Sequence, residues 1–211
     1  LVSGSADDFI KKAVELREKG RLDEAIIAAR KATTLDQADP NAWWQLALSL
    51  DRKEGATSAL DHFKKTVELS PSFSYGWHRL GIAYAEISQL EHAVESWEEA
   101  LKVSHERYDS MTQLLTVYSA RNDAAYEERI FELLVLLNEE DKLETEYINR
   151  LGIAYYSRKD YYKAISCWDR YAFRSDGPHG FFNLGLAFQN KQIGRYIDAV
   201  DSWRRALIAD P

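Results

Sequence analysis

Apolar residues recur along this chain at helical spacing, and the helical pattern itself recurs every 34 residues. Trp43, Leu46, Ala47, Leu50, Ala59, Phe63 and Thr66 are echoed by Trp77, Leu80, Gly81, Tyr84, Ala93, Trp97 and Ala100, each 34 positions further on. Steps of three and four place these side chains on one face of an α-helix. The wider gap between Leu50 and Ala59, and again between Tyr84 and Ala93, predicts two helices per period. One such pair cannot bury its apolar face alone, so a fixed period of this length predicts a stacked array of helix pairs.

The pattern extends both ways. Leu151, Gly152, Tyr155, Ala164 and Trp168 repeat the spacing of Leu80, Gly81, Tyr84, Ala93 and Trp97. Leu184, Gly185 and Phe188 open another repeat, whose second half (Ala199, Trp203, Ala206) arrives two residues late. The N-terminal repeat keeps Gly20, Ala25, Ala29 and Ala32, but has Lys12 and Ala13 where the Leu-Gly pair is expected. The predicted helix pairs are 6–36, 40–70, 74–105, 108–140, 144–175 and 178–211, with 108–140 the most degenerate. Leu1–Ser5 (LVSGS) reads as a cloning remnant and is given no structural weight. Pro40, Pro71, Pro178 and Pro211 fall where one pair gives way to the next, because proline cannot continue a helix.

The residue types follow from packing. Leu-Gly or Leu-Ala on the first helix lets the second come close. Ala25, Ala59, Ala93, Ala164 and Ala199 are expected at that contact. Tyr84, Trp97, Tyr155, Trp168, Phe188 and Trp203 are expected to fill the space towards the next pair. Together these positions resemble the tetratricopeptide repeat family, whose motif runs W-x₂-L-G-x₂-Y, then a small residue, a large aromatic, Ala and Pro. Residues 74–105 match best, and 40–71, 144–175 and 178–211 match well. The resemblance implies an all-α solenoid of about six helix-turn-helix repeats wound into a right-handed superhelix, forming a single array over 6–211.

Composition narrows the function. Lys+Arg 27 against Asp+Glu 34 gives a net charge of −7, a poor match to nucleic acid, which needs clustered cations. No apolar run is long enough to span a membrane. The single cysteine, Cys167, excludes an internal disulfide and points to a reducing, cytoplasmic setting. His62, His78, His92, His105 and His179 are scattered without metal-ligand spacing. No glycine-rich phosphate loop occurs. Cys167 reads as a buried small hydrophobe rather than a nucleophile. Glu95, Glu98 and Glu99 read as a solvated helix face. No enzyme, metal or cofactor is expected.

The resemblance places the first helices on a concave side, with the residue before each Leu-Gly pair facing the groove. That slot reads Lys11, Gln45, Arg79, Gln113, Arg150 and Asn183: all hydrogen-bond donors and none acidic. The preceding residues read Ile10, Trp44, His78, Thr112, Asn149 and Phe182. The expected function is a non-catalytic protein-interaction scaffold holding an extended peptide or partner helix in this groove. Arg79 and Arg150 would anchor carboxylates, and Trp44 and Phe182 would supply apolar pockets. Simple solvation of a polar helix face is the alternative, and for Trp44 it is packing against Ile10 or Leu48.

Some members of the family grip acidic chaperone tails. Carrying this over requires Asn at Gln45, Lys at Tyr75 and Arg at Arg79; only Arg79 matches, so that ligand is not expected. Ile130–Leu137, apolar nearly all round, is expected to be covered by stacking or else to form a partner face. The absence of a polar capping helix after Pro211 favours a piece of a larger protein. A self-assembling homo-oligomer and the regulatory arm of an absent enzyme are the alternative roles.

Overall fold

Helix boundaries in the computed structural model follow local backbone chemistry closely. The structure describes residues 4–105, 107–121, 123–175 and 177–209. Leu1, Val2 and Ser3 of the LVSGS stretch, and Pro211 at the expected close of the array, lie outside the described residues. Among those described there are twelve α-helices and no strand. The first six are α1 (Ala6–Glu18), α2 (Leu22–Leu35), α3 (Pro40–Glu54), α4 (Ala56–Leu69), α5 (Ser74–Glu86) and α6 (Leu90–Val103). Then follow α7 (Tyr108–Arg121), α8 (Glu127–Glu139), α9 (Thr145–Ser157), α10 (Tyr161–Ser175), α11 (Pro178–Gln189) and α12 (Tyr196–Ala209). The fold is an all-α solenoid of helix-turn-helix repeats. The chain forms two compact units, Leu1–Ala120 and Arg121–Pro211.

Pro40 and Pro178 each open a helix at its first residue, where the missing N–H is no loss. Asp39 caps α3 by accepting from the Asn41 N–H at 2.8 Å. Ser5, given no weight from sequence, has a structural role. Its Oγ accepts from the Asp8 N–H at 3.2 Å, and its own N–H donates to Asp8 Oδ2 at 2.8 Å. This reciprocal cap starts α1 and holds the Asp8 carboxyl below its ordinary pKa. Within pairs, the turn is made by one residue in the left-handed region: Gly20 (φ 75°), Ser88 (φ 62°) and Lys159 (φ 65°). Each turn closes with an N–H reaching back to a carbonyl near the helix end, as in Arg21 to Leu16, Gln89 to Tyr84 and Asp160 to Tyr155, all at 2.9 Å.

The Leu-Gly requirement has a direct steric cause. A Cβ on Gly152 would stand 2.5 Å from Nε1 of Trp168, and Gly81 against Trp97 and Gly185 against Trp203 are tighter still. Where the second helix offers Phe63 instead of tryptophan, the slot holds Ala47, and both are fully buried. The indole therefore demands glycine, and the smaller phenyl ring admits a methyl group. Trp43 and Trp77 are only half-buried. Their indole N–H groups donate to the Gln37 and Pro71 carbonyls, each at 2.9 Å, pinning the chain that leads into the helix.

The N-terminal unit has its core along α1 to α5, from Ala13 and Leu16 through Trp44, Phe63 and Val67 to Leu80 and Ala83. In the C-terminal unit, Ile130, Leu133, Leu134 and Leu137 are buried along with Ile148, Leu151 and Trp168. The Ile130–Leu137 stretch is thus mostly core, with Leu136 its one well-exposed large aliphatic. Cys167 is buried too, and burial pushes its thiol pKa up to about 11, far from a reactive thiolate.

Candidate partner-binding surface

The first helices of the N-terminal unit bring together residues from three successive pairs. Gln45 on α3 is half-buried, and its side-chain oxygen accepts from Arg17 Nη1 of α1 at 2.5 Å. Arg79 on α5 forms an ion pair with Asp51 of α3. Both contacts span 28 residues, so one rule places each donor slot against the end of the preceding first helix. The same offset from Gln113 arrives at Ala85, which has no polar side chain, and Gln113 is exposed. Arg52, next to Asp51, donates from Nη1 to the Arg17 carbonyl at 3.3 Å. The residues Arg79, Asp51, Arg52, Arg17 and Gln45 therefore form one connected patch.

The charges in this patch do not cancel. Arg79 has Asp51, while the Arg17 guanidinium meets the neutral Gln45 amide. Burial lowers the Arg17 pKa first, Arg52 lowers it further, and Glu18 opposes both. Arg79 keeps its Nε buried without a hydrogen-bond partner among the described residues. Lys11 is exposed on α1.

Two expected groove residues lie inside the unit instead. Trp44 is buried, and its ring meets Phe73 at 5.0 Å, Phe63 at 5.6 Å and Tyr75 at 5.6 Å. This corrects its reading as an exposed pocket-former: Phe73 and Tyr75, outside the repeat motif, close over it. His78 is also buried. Its Nδ1 shares a 2.9 Å hydrogen bond with Ser110 Oγ, and Nε2 lies 3.3 Å from Asp109 Oδ2. Tyr75 stacks on the imidazole at 5.9 Å, and Arg107 lies over Tyr75 at 5.4 Å. Burial pushes the His78 pKa down, with Asp109 opposing and Arg107 and Arg79 adding to the fall. Serine, histidine and aspartate in contact suggest a nucleophile, but Ser110 is fully buried. The cluster ties α5 to α7 and offers no reagent to solvent.

The C-terminal unit uses different chemistry in the same slots. Asn149 Oδ1 accepts from Trp168 Nε1 at 3.0 Å and from Asn183 Nδ2 at 2.8 Å. Asn183 is therefore engaged by its neighbour in the solenoid. Arg150 lies 3.5 Å from Glu127, with Arg150 half-buried and Glu127 exposed. Phe182 is exposed. The donor file is accordingly less cationic than its sequence suggests, since Asp51 and Glu127 offset Arg79 and Arg150. Sequence reasoning missed Arg17, Asp51 and Arg52. The recurring 28-residue offset between donor and acceptor was the available signal.

Among the described residues, no helix is long and apolar enough to cross a membrane, and no group of three His, Cys, Asp or Glu side chains is placed to hold a metal. A family model for the tetratricopeptide repeat matches residues 9–39. The peroxisomal targeting signal receptor of Candida albicans is 24% identical over 213 residues, covering 94% of this chain and 34% of that protein. The chain thus spans about a third of the length of that relative, and less of two others, at 14% and 19%. Two solved structures share the fold. YrrB, described as a TPR protein with an unusual peptide-binding site, is 20% identical with a TM-score of 0.61, over 87% of this chain and 93% of that one. The first TPR of Spaghetti (RPAP3), bound to the HSP90 peptide SRMEEVD, is 22% identical with a TM-score of 0.53, over 56% of this chain and 94% of that one. A matched tetratricopeptide repeat at 9–39, the tryptophan-glycine lock repeated in three later pairs, and helices paired on either side of it give this chain the fold of tetratricopeptide repeat proteins.

Proposed function

We propose that this chain is a protein-interaction scaffold, and that the first helices of its N-terminal unit hold a peptide through an acidic side chain or terminal carboxylate. The observation that carries this reading is Arg17. It is a half-buried guanidinium on the first-helix surface, hydrogen-bonded to a neutral amide, with Arg52 beside it. A carboxylate there would meet planar donors in a partly desolvated place, where charge-assisted hydrogen bonds are strongest. Peptide ligands in the descriptions of YrrB and the Spaghetti repeat domain support the class of ligand. The departures at Gln45 and Tyr75 argue for a ligand other than an acidic chaperone tail.

This moves the principal anchor from Arg79 and Arg150, which have partners within their own units, to Arg17 and Arg52. The test is fluorescence anisotropy with a labelled decapeptide of alternating Asp and Glu, compared with its Asn/Gln counterpart. The acidic peptide should bind more tightly, lose affinity as salt rises, and weaken at least about tenfold for the double variant Arg17→Gln with Arg52→Gln. Equal binding of the neutral peptide, or an unaffected double variant, would overturn the reading.

A further inference from the structure

The first helices carry a second recurring slot, three residues after the donor slot and just past the residue that faces the second helix. It holds Val14 in α1, Leu48 in α3, Ile82 in α5, Ile153 in α9 and Leu186 in α11, with Thr116 of α7 the exception. Core burial does not account for the aliphatic choice, since Ile153 is 51% exposed. Val14, Leu48 and Ile82 are half-buried and follow one another at the 34-residue period. They form an apolar row across α1, α3 and α5, on the surface that carries the donor slots.

The arginines gather about the middle of this row. Gln45, Leu48, Asp51 and Arg52 share one face of α3, by steps of three and four. Arg17 reaches Gln45 from α1, and Arg79 reaches Asp51 from α5. Arg52, one turn beyond Leu48, donates to the Arg17 carbonyl. Leu48 therefore lies between the Arg17 and Arg79 contacts, with Arg52 beside it. The slot of Arg52 holds Glu18 in α1 and Glu86 in α5, both exposed. Positive charge is thus concentrated at the centre of the apolar row and opposed at its two ends.

We propose that the ligand of the N-terminal unit is a peptide segment in the polyproline II conformation, with an apolar side chain at every third residue and acidic residues beside the central one. This register rests on Arg17 and Arg52 holding the ligand's carboxylates. Packed neighbouring helices stand roughly 8–10 Å apart, and polyproline II advances about 9 Å in each three-residue turn. Every third side chain therefore comes down on one face, onto Val14, Leu48 and Ile82 in turn. A β-strand does not keep this register, because its side chains return to one face every second residue, about 7 Å on. A helical ligand advances only about 5.4 Å per turn. Polyproline II also makes no internal hydrogen bonds, which leaves its carbonyls open to the adjacent donor slots. Acidic residues next to the central apolar one fall beside the arginines and clear of Glu18 and Glu86.

The probe is the labelled, amidated peptide Leu-Pro-Asp-Leu-Asp-Pro-Leu, whose prolines favour polyproline II and oppose a helix. Its binding to the full chain is measured by fluorescence anisotropy against three relatives: an isomer with leucine at every second position, a form with serine as the central residue, and a form with asparagine for both aspartates. The probe should bind at least about tenfold more tightly than each of them. These changes leave the protein untouched, so no loss can come from misfolding. In the chain itself, Leu48→Ser should remove the advantage of the central leucine and keep the preference for aspartate. Equal binding by the isomer or by the serine form overturns the proposed register, while a persisting preference for aspartate leaves the carboxylate site standing. Equal binding by the asparagine form overturns both.

Discussion

The two units share one skeleton and part company at the slots the skeleton leaves open. In both, a first-helix glycine meets a second-helix tryptophan, as at Gly81 and Trp97 or Gly152 and Trp168. The slot three residues before that glycine holds His78 in the N-terminal unit and Asn149 in the C-terminal unit. The next slot holds Arg79 in a partly buried ion pair, or Arg150 in an exposed one. The fold is therefore carried by the recurring pairs of a small residue with a large aromatic, and any difference in binding by the variable slots.

The largest effect should come from the skeleton. Gly81→Ala puts a methyl group where the Trp97 indole lies and should destabilise the chain by about 3 kcal/mol through overpacking. At this chain length that lowers the melting temperature by roughly 6–12 °C. The double variant Gly81→Ala with Trp97→Phe recreates the Ala47/Phe63 pair and should recover part of the loss. A double-mutant cycle in urea measures the coupling. Additive losses would mean that the two positions do not constrain each other, and the steric account of the motif would fail.

This skeleton was legible in the sequence because it depends on local periodicity. The 34-residue echo, the Leu-Gly pairs, and the prolines at 40 and 178 each act within a few residues of the helix they define. The surface was less legible. Trp44 falls outside the motif, so subtracting the motif left it looking exposed. Its covering rings, Phe73 and Tyr75, also fall outside the motif, and nothing in the period indicates that they turn back over α3. Arg79 and Gln45 looked like free donors because their partners lie 28 residues back, an offset set by how neighbouring first helices lie side by side rather than by the repeat length. Ser5 looked dispensable because its neighbours are uninformative, yet Ser5 with Asp8 three residues later is a capping box written in the sequence.

The ion pairs give the next effect in size, and they sharpen the contrast between units. The Arg79 and Asp51 side chains are 25% and 16% exposed, so Arg79→Ala leaves a largely buried carboxylate without its partner. The expected loss is about 2 kcal/mol. Arg150→Ala removes a pair whose members are 33% and 60% exposed, and should cost under about 0.5 kcal/mol. Urea melts of both single variants decide the matter. If the two lose stability equally, burial does not separate the arginines, and the distinction between an anchored Arg79 and a loosely held Arg150 collapses.

The smallest effect is a pH dependence belonging to the N-terminal unit. Burial lowers the pKa of His78 and also of His62, so in the folded state both stay neutral at pH values where the unfolded chain has begun to protonate. Between the depressed folded pKa and the ordinary value of about 6.5 the unfolded state binds more protons, so stability rises with pH through that window. Stability should be full above pH 6.5 and fall as the solution is acidified towards pH 5.5. His78→Asn, which installs the residue that the C-terminal unit uses in the same slot, should flatten this slope, leaving the part due to His62. Melting temperatures of the wild type and the variant at half-unit steps from pH 7.5 to 5.5 measure it. Asparagine can still meet Ser110, so the variant should retain most of its stability at pH 7.5. If its slope equals that of the wild type, the buried imidazole is not what distinguishes the units electrostatically, and the difference must come from the Arg17, Arg52 and Arg79 patch.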